Sequence, residues 1–347
     1  MVTQDPVTTG ASGKDPDAGA VVHSRVYRHG ALVAENLPVA ELERYRRDTD
    51  AVVWLDLLAP TPTEFAAIAP AIGGDVEVNR IALESAMSNR GRPRLMRFAD
   101  HRIVHLRAAS FDAATRRLST TDVAVLLFER ELVTIRSGPG FPIAEVLDEC
   151  DDNPELAGHG VPFLLFTLLD QMVEGYLDAL DDLDEQILAV EDDLLDGSGP
   201  GREVQVNTFT LRRAVAALAR VVLPTSEVLA VIGRGGAHQA APEIQTYLQD
   251  VYEHAIRASE RIDGQRDSIE SILATSLSMQ GNSLNEIMKK LTAWAAIIAI
   301  PTGITGYFGQ NVPFPGYGDK FGFWLSAALL LALGGGLYIM FRRRDWL

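Results

Sequence analysis

Two uncharged apolar runs lie near the end of this 347-residue chain, at 291–308 and 321–341. A helix needs about 20 residues to cross the hydrocarbon core of a bilayer, where it must satisfy its own backbone polar groups. We therefore predict two membrane-spanning helices over these runs, joined by a loop at 309–320 that opens Gly309-Gln310-Asn311. A large polar region followed by two spans is typical of a membrane protein and not of a soluble enzyme.

Flanking charge predicts the orientation of the two spans. Lys289 and Lys290 precede the first span, and the tail at 342–347 opens with three arginines. The connecting loop carries only Lys320, beside Asp319. Because basic flanks stay in the cytosol, we predict a multi-pass protein of the cytoplasmic membrane with both termini cytosolic and the Gly-Gln-Asn loop outside.

Composition excludes several kinds of function. A formal net charge of −16 argues against nucleic acid as a partner and is compatible with a cation. The single cysteine, Cys150, excludes an internal disulfide and a cysteine-based zinc cluster. A phosphate-binding Gly-rich motif is absent from the sequence, so we expect no use of ATP. We also expect no enzyme activity and no organic cofactor.

The region before the spans divides by pattern. Residues 1–20 have little apolar content, which predicts a disordered tail. From 21 to 145 the chain has short β-branched runs, so we predict an α+β cytosolic domain with strands at 52–55, 103–106, 123–128 and 132–135. Thr61 or Thr63 can cap a helix that ends at Ile68, and 75–87 reads as another helix.

Long helices are predicted over 146–290, which we interpret as a stalk. The first begins near Pro162 and the second runs from about Glu203 to Ile232 with an interruption at Pro224. The third runs from Pro242 into the first span without a break and would be roughly 100 Å long. Apolar or small residues repeat along two of these helices in a four-three rhythm, which predicts helix–helix seams. The seams are Leu169, Val173, Tyr176, Leu180, Leu183, Ile187, Val190 and Leu194, and Ile244, Leu248, Val251, Ala255, Ala258, Ile262, Gln265, Ile269 and Ile272. An ordinary helical hairpin without a signalling role is the alternative.

The first span carries a stripe of small or weakly polar residues. Such a stripe is either a helix–helix contact or the wall of a pore, and polar groups near a membrane favour water or partners. One helix cannot enclose a pore, so a pore would require several copies of the chain. The stripe comprises Asn285, Met288, Thr292, Ala295, Ala299, Thr302 and Gly306.

Asn311 is the most distinctive residue of the external loop. Its carboxamide has an acceptor oxygen and no charge, so a ring of such groups could hold the water shell of a divalent cation. Gly309 would free the backbone to turn. Gly and Asn are also common in turns, and on three residues alone an ordinary turn is the simpler interpretation.

Several motifs together resemble those of the CorA-type divalent-cation transporters, whose mark is a Gly-x-Asn loop after the first of two C-terminal spans. The matching segments are 285–292, Pro301-Thr302, 306–311 and 342–347, with further matches at Trp54-Leu55-Asp56-Leu57, Arg92-Pro93-Arg94-Leu95 and 180–184. The resemblance implies a funnel-shaped homopentamer in the lipid bilayer, with the first spans lining the pore.

The resemblance also implies roles for individual residues. Gly309, Gln310 and Asn311 would form the mouth, where Asn311 contacts the hydrated ion. Asn285 would form a polar ring, Thr302 a second site for the hydrated ion, and Met288 with Leu291 an apolar constriction. A regulatory Mg²⁺ between neighbouring cytosolic domains would be bound by Asp250, with Glu84 as a further candidate. Independently of the resemblance, His254 lies four residues after Asp250 and could contribute to a cytosolic metal site.

The chain departs from the family pattern at several positions. Gln310 replaces a methionine, Ala299 a bulky residue, Asn79-Arg80 a His-Pro pair and Ser85 an acid. The external loop lacks acidic residues over 312–318, a feature that leans toward the zinc-transporting branch. We predict uptake of Mg²⁺, with Co²⁺ or Ni²⁺, gated by intracellular Mg²⁺; the alternatives are proton-coupled Zn²⁺ transport and a non-conducting metal sensor.

Overall fold

The structure is a computed structural model, which describes residues 8–9, 21–72, 92–196, 201–236, 240–310, 313 and 316–347. The chain divides into two compact units, Met1–Glu270 and Ser271–Leu347. The predicted helix at 75–87 lies outside the described residues.

The first unit is built on an eight-stranded mixed sheet in the order β1-β3-β2-β4-β8-β7-β6-β5. Strands β4 and β8 pair in parallel, as do β1 and β3, and the other neighbours are antiparallel. The strands are β1 Thr8–Thr9, β2 Val21–Arg28, β3 Ala31–Glu35, β4 Ala51–Leu58, β5 Arg94–Arg97, β6 Arg102–Asp112, β7 Arg117–Leu127 and β8 Glu131–Arg136.

The four predicted strands are confirmed, within β4, β6, β7 and β8. Sequence patterns did not single out β2, β3 or β5, which carry polar residues. In β2, for example, Arg25 pairs with Glu35 at 3.0 Å and with Asp151 at 3.3 Å. Within the predicted tail, Thr8–Thr9 pair with Ala34 and Glu35 on the edge of β3.

One face of the sheet is covered by two short helices, Val39–Arg46 and Pro62–Ile68. The second begins with a capping box, in which the Thr61 hydroxyl accepts a hydrogen bond from the Glu64 amide and the Glu64 carboxylate accepts one from the Thr61 amide. Its Phe65 and Ile68 are buried in the core with alternate residues of β4. Two further short helices, Ile143–Asp152 and Pro154–Ala157, follow the sheet.

The Trp-Leu-Asp-Leu motif of β4 contains a buried ion pair. The Arg136 guanidinium donates to both carboxylate oxygens of Asp56, at 3.0 and 2.7 Å, and the Thr134 hydroxyl donates to one of them at 2.7 Å. Trp54 in turn donates from its indole nitrogen to Thr134. Each of these buried polar groups has a hydrogen-bond partner on the neighbouring strand. The motif therefore holds the parallel strands β4 and β8 together, which is a structural role.

Long helices pack on the other side of the sheet in the same unit. They span Val161–Leu195 and Gly201–Val231, the latter followed by a π-helical turn, Ile232–Gly236. Tyr176 links the first of them to the sheet by donating from its hydroxyl to the Arg107 carbonyl at 2.6 Å. The sequence assigned these helices to a stalk, yet they share a compact unit with the sheet.

The third long helix is continuous over Pro242–Phe308. Both predicted seams are confirmed, since every seam residue is at most 8% exposed. Gln265 fixes the register between them, because its amide donates to the Leu180 carbonyl at 2.8 Å and to Asp184 at 2.7 Å.

The predicted interruption at Pro224 is wrong, because the helix Gly201–Val231 runs through this residue. Proline removes one backbone hydrogen bond, but the flanking side chains of Val221, Val222 and Val228 are at most 5% exposed. Burial on this scale offsets the loss and keeps the helix intact.

Three helices in the described part of the chain are long and apolar enough to cross a membrane. The apolar window of Arg202–Gly235 is 61% buried, so its side chains belong to the core of the first unit. In Pro242–Phe308 and Lys320–Arg343, by contrast, only 6% and 0% of the residues in the most apolar 18-residue stretch are buried. The second of these comprises Lys320–Leu329, a π-helical turn at Leu330–Gly334, and Gly335–Arg343.

Candidate metal-ion pathway and regulatory residues

The helix Pro242–Phe308 positions the residues predicted to line a pore. All of them are exposed in a single chain, including the two large apolar ones, Met288 at 58% and Leu291 at 62%. Exposed apolar groups of this size need lipid or another protein surface. The residues that the structure places on this stripe are Asn285, Met288, Leu291, Thr292, Ala295, Ala299, Thr302 and Gly306.

The opposite face of the same helical segment is less exposed. Ala293 is fully buried, and Ile297, Ile300 and Ile304 are partly buried. With about 100° of rotation per residue, these positions lie roughly across the helix from the stripe. The stripe is therefore the more exposed face of a segment that is largely exposed overall, and it is available for a contact outside the chain.

Thr302 has one hydrogen bond that determines what it can offer outward. Its hydroxyl donates to the Ile298 carbonyl at 2.8 Å, which uses its only proton. The remaining lone pairs make it an acceptor, as the water shell of a cation requires. Thr305 bonds in the same way, donating to Pro301 at 2.8 Å.

The helix ends at Phe308, and Gly309 closes it. The Gly309 amide donates to the Thr305 carbonyl at 2.8 Å. A Cβ at this position would stand 2.8 Å from that same oxygen, so the close approach requires glycine. Gln310 is exposed and follows directly, whereas Asn311 lies outside the described residues. The need for Gly309 thus arises from a close approach to the end of the helix.

The regulatory candidates lie in the first unit. Asp250 and His254 are one helical turn apart, with 3.6 Å between the Asp250 carboxylate and His254 Nε2. The other ring nitrogen of His254, Nδ1, is buried without a hydrogen-bond partner in the described part of the chain. Glu84 lies outside the described residues. Within the ranges that the structure describes, a cluster of three or more metal-binding side chains is absent.

Sequence reasoning missed Asp170, which forms an acidic group with Asp250, Glu174 and Glu149. Burial, together with the charges of Glu174, Asp250 and Glu149, raises the pKa of Asp170 to about 6. The available signal was that Asp170 is the first charge after the uncharged run that opens the helix Val161–Leu195. A cation beside Asp170 and Asp250 would relieve the repulsion between them.

The chain combines a mixed-sheet domain, long helices and two C-terminal apolar helices, the first of which carries a small-residue stripe. These features are typical of a class of membrane transport proteins with a large domain outside the membrane. Residues 49–343 match the family model described as CorA-like Mg²⁺ transporter protein. The chain therefore belongs to the CorA family of divalent metal-ion transporters, a family of transporters and not of enzymes.

Curated relatives match over most of their length. The cobalt/magnesium transport protein CorA of Thermotoga maritima is 23% identical over 95% of this chain and 96% of its own. The protein of the same description from Methanocaldococcus jannaschii is 25% identical over 93% and 98%. The zinc transport protein ZntB of Yersinia pseudotuberculosis is 23% identical over 74% and 77%.

Solved structures confirm the fold. The complete CorA magnesium transporter from Methanocaldococcus jannaschii has a TM-score of 0.77 at 23% identity, covering 94% of this chain and 99% of that one. Full-length CmaX has a TM-score of 0.74 at 20% identity, covering 96% and 100%. The ZntB cytoplasmic domain from Vibrio parahaemolyticus has a TM-score of 0.56 at 12% identity, covering 76% and 99%.

Proposed function

We propose that this protein forms a homopentameric channel that carries Mg²⁺, and also Co²⁺ or Ni²⁺, into the cytosol across the cytoplasmic membrane. The observation that carries the proposal is the exposed stripe of small and weakly polar residues on the first apolar helix, opposite a face of partly buried isoleucines. A face of small and weakly polar groups would be poorly matched to lipid and well matched to a shared aqueous pore. Both termini are cytosolic in this proposal.

Each part of the stripe has a role in the proposed pathway. Asn311, with Gly309 and Gln310, contacts the hydrated ion at the external mouth, and Thr302 contacts it through its acceptor oxygen. Small side chains then leave room for a water shell, which Mg²⁺ gives up reluctantly. Met288 and Leu291 form an apolar constriction that closes by dewetting, above a polar ring of Asn285. The small lining residues are Thr292, Ala295, Ala299 and Gly306.

The membrane potential supplies the driving force. Moving one charge through an inside-negative potential of 100 mV releases about 2.3 kcal/mol, and a divalent ion releases about twice that. Uptake on this basis requires no nucleotide hydrolysis.

Intracellular Mg²⁺ gates the proposed channel through the acidic group of the first unit. Asp250, Glu84 and His254 bind the ion with help from Asp170, and loss of the ion permits opening. Support comes from the position of Asp170, where repulsion by Asp250 and two other carboxylates favours a bound cation.

A proton-coupled Zn²⁺ transporter is a second candidate function, favoured by the ZntB relatives and by the departures at Gln310 and in the loop. The CorA relatives match over 93% or more of this chain, whereas ZntB matches over 74%. This difference in coverage favours the Mg²⁺ channel. A metal sensor that conducts nothing is the third candidate, and it has no need for an uncovered stripe in the membrane.

The test is flux into proteoliposomes, with Mg²⁺ and Zn²⁺ measured separately by indicator dyes, with and without a pH gradient. We expect voltage-driven Mg²⁺ entry that is indifferent to pH and nearly abolished by Asn311→Ala. Ser326→Ala is the control, because the Ser326 hydroxyl only bonds to its own backbone at Phe323. Inhibition by internal Mg²⁺ should weaken in Asp250→Ala.

Other outcomes separate the alternatives. Zn²⁺ entry that follows the proton gradient would replace the Mg²⁺ channel with the zinc transporter. An absence of flux for either ion would favour the sensor. Unchanged Mg²⁺ inhibition in Asp250→Ala would remove the regulatory role assigned to this residue.

A further inference from the structure

A cavity of about 450 Å³ in the first unit has an arginine-rich lining. Arg92 and Arg107 come from the sheet side, Arg220 from the helix Gly201–Val231 and Arg266 from the helix Pro242–Phe308. Leu223 and Pro224 form an apolar wall between them. The cavity thus combines four guanidinium groups with apolar surface.

The charge of this lining is unlike that of the chain. The protein has a net charge of −16, yet no carboxylate is among the described residues that line the cavity. Three of the arginines have partners outside the lining: Arg92 pairs with Glu227 at 3.2 Å, Arg107 with Asp122 at 2.5 Å and Arg266 with Asp263 at 3.1 Å.

Arg220 is the exception. It is exposed, and within the described ranges it forms neither an ion pair nor a side-chain hydrogen bond. Arg92 and Glu227 are themselves largely exposed, at 67% and 71%, so their pair is weak and can yield a donor to a ligand. The lining therefore offers unused positive charge.

Buried contacts hold the walls of this cavity in place. Tyr176 is fully buried, and its hydroxyl donates to the Arg107 carbonyl at 2.6 Å. The same hydroxyl lies 3.3 Å from the Thr225 hydroxyl, next to Pro224. Because a buried network fixes the strand that carries Arg107 and the helix that carries Pro224, the cavity is formed before a ligand arrives.

We propose that this cavity binds a nucleoside diphosphate, a phosphorylated small molecule with at least two negative charges and an uncharged part. Guanidinium groups bind phosphate oxygens through paired, charge-assisted hydrogen bonds. The apolar wall at Leu223 and Pro224 suits the uncharged part of such a ligand, and the volume lies in the range of about 300–1,000 Å³ typical of small-molecule sites. The site is separate from the proposed ion pathway and does not depend on which ion is conducted.

A concave site favours a small molecule over a second copy of the chain. Acidic residues of another copy could also neutralise the arginines, but a subunit contact requires a broad surface, whereas these residues line a concave volume of about 450 Å³. We therefore treat a subunit contact as an outcome that would overturn the proposal.

The experiment is a binding titration of the full-length protein in detergent, without added divalent metal. The probe is ADP with a fluorescent N-methylanthraniloyl group on the ribose, followed by anisotropy, with pyrophosphate and adenosine as competitors. We expect saturable binding that pyrophosphate displaces and adenosine displaces poorly. Arg220→Ala should weaken binding by about ten- to a hundredfold, as loss of a charge-assisted contact predicts. Arg220→Lys should recover part of it.

Arg213→Ala is the matched control, because Arg213 is exposed on the same helix and does not line the cavity. Equal weakening in the Arg213 and Arg220 variants would reveal general charge attraction and overturn the proposal. Absence of saturable binding in the parent protein would also overturn it. The proposal would likewise be overturned if Arg220→Ala changed the oligomeric mass and left the probe affinity unchanged, because Arg220 would then serve a subunit contact.

Discussion

Asp170 is a half-buried carboxyl in the first unit, and its surroundings are acidic. Glu174, Asp250 and Glu149 all raise its pKa, after the larger effect of burial. A group held in this way favours the protonated form and, when ionised, a bound cation. Arg220 carries the opposite charge and has no ion-pair partner in the described ranges. Asp170 thus lies near charges of its own sign, and Arg220 is available to bind an anion.

The raised pKa of Asp170 predicts a pH dependence of stability. The pKa rises from 3.8 to about 6 on folding, so the unfolded chain loses the proton first as pH increases. Stability therefore falls between these two values and the full penalty is present above about pH 6. Asp170→Asn should unfold at a temperature higher by roughly 2–4 °C at pH 8 and show little difference from the parent near pH 4.

Intrinsic tryptophan fluorescence during heating, in detergent with a metal chelator, measures this difference. Asp178→Asn on the same helix is the control, because Asp178 is exposed. The prediction would be contradicted if Asp170→Asn raised the unfolding temperature by the same amount at pH 8 and near pH 4.

The seam of the helix Pro242–Phe308 is the main determinant of packing at the scale of elements. Ala255 and Ala258 are fully buried there, so small side chains allow a close approach of the neighbouring helix. Gln265 adds a hydrogen bond to Leu180 that specifies the register. Pro224 lies inside the helix Gly201–Val231, although proline removes a backbone hydrogen bond, so packing also keeps this helix continuous.

Overpacking this seam should destabilise the first unit. Ala258→Leu inserts a larger side chain where space is absent, at a cost of roughly 1–3 kcal/mol. The control is Ala189→Leu, the same change at an exposed position of the helix Val161–Leu195. Thermal unfolding in detergent measures both variants, and an equal effect of the two would show that the seam is not tightly packed.

For the whole molecule, the uncovered stripe implies assembly. A single chain leaves Ala299 and its stripe neighbours exposed, whereas the isoleucines of the opposite face are partly buried. A pore made of several copies would bring these stripes together, and a bulky residue would then block it.

Ala299→Phe should reduce Mg²⁺ flux by at least about tenfold, because a ring of phenylalanine side chains would narrow and dewet the pore. The oligomeric mass, measured by light scattering in detergent, should be the same as that of the parent protein. Ile298→Phe is the control, since Ile298 is 64% exposed but lies off the stripe. Full flux in Ala299→Phe, or equal loss in both variants, would argue against a pore lined by this stripe.

Local patterns explain why much of the fold could be predicted. The short β-branched runs lie in strands, and the residues spaced alternately by four and three are buried seams. Both could be predicted because the spacing of buried residues along the chain follows directly from helix and strand geometry. Strand β2 was not singled out, since its polar residues find partners far away in the chain. Arg25, for example, pairs with Asp151.

The sequence by itself determined the two terminal spans, the family motif around Gly309 and the small-residue stripe, all of which depend on neighbouring residues. Only the tertiary structure decided that the apolar helix Arg202–Gly235 is buried in a protein core, unlike the two terminal helices. It also decided that Asp170 faces Asp250, and that Arg107, Arg220 and Arg266 line one cavity. The physical reason is that hydropathy and periodicity are local properties, whereas burial and charge pairing depend on elements that meet only after folding.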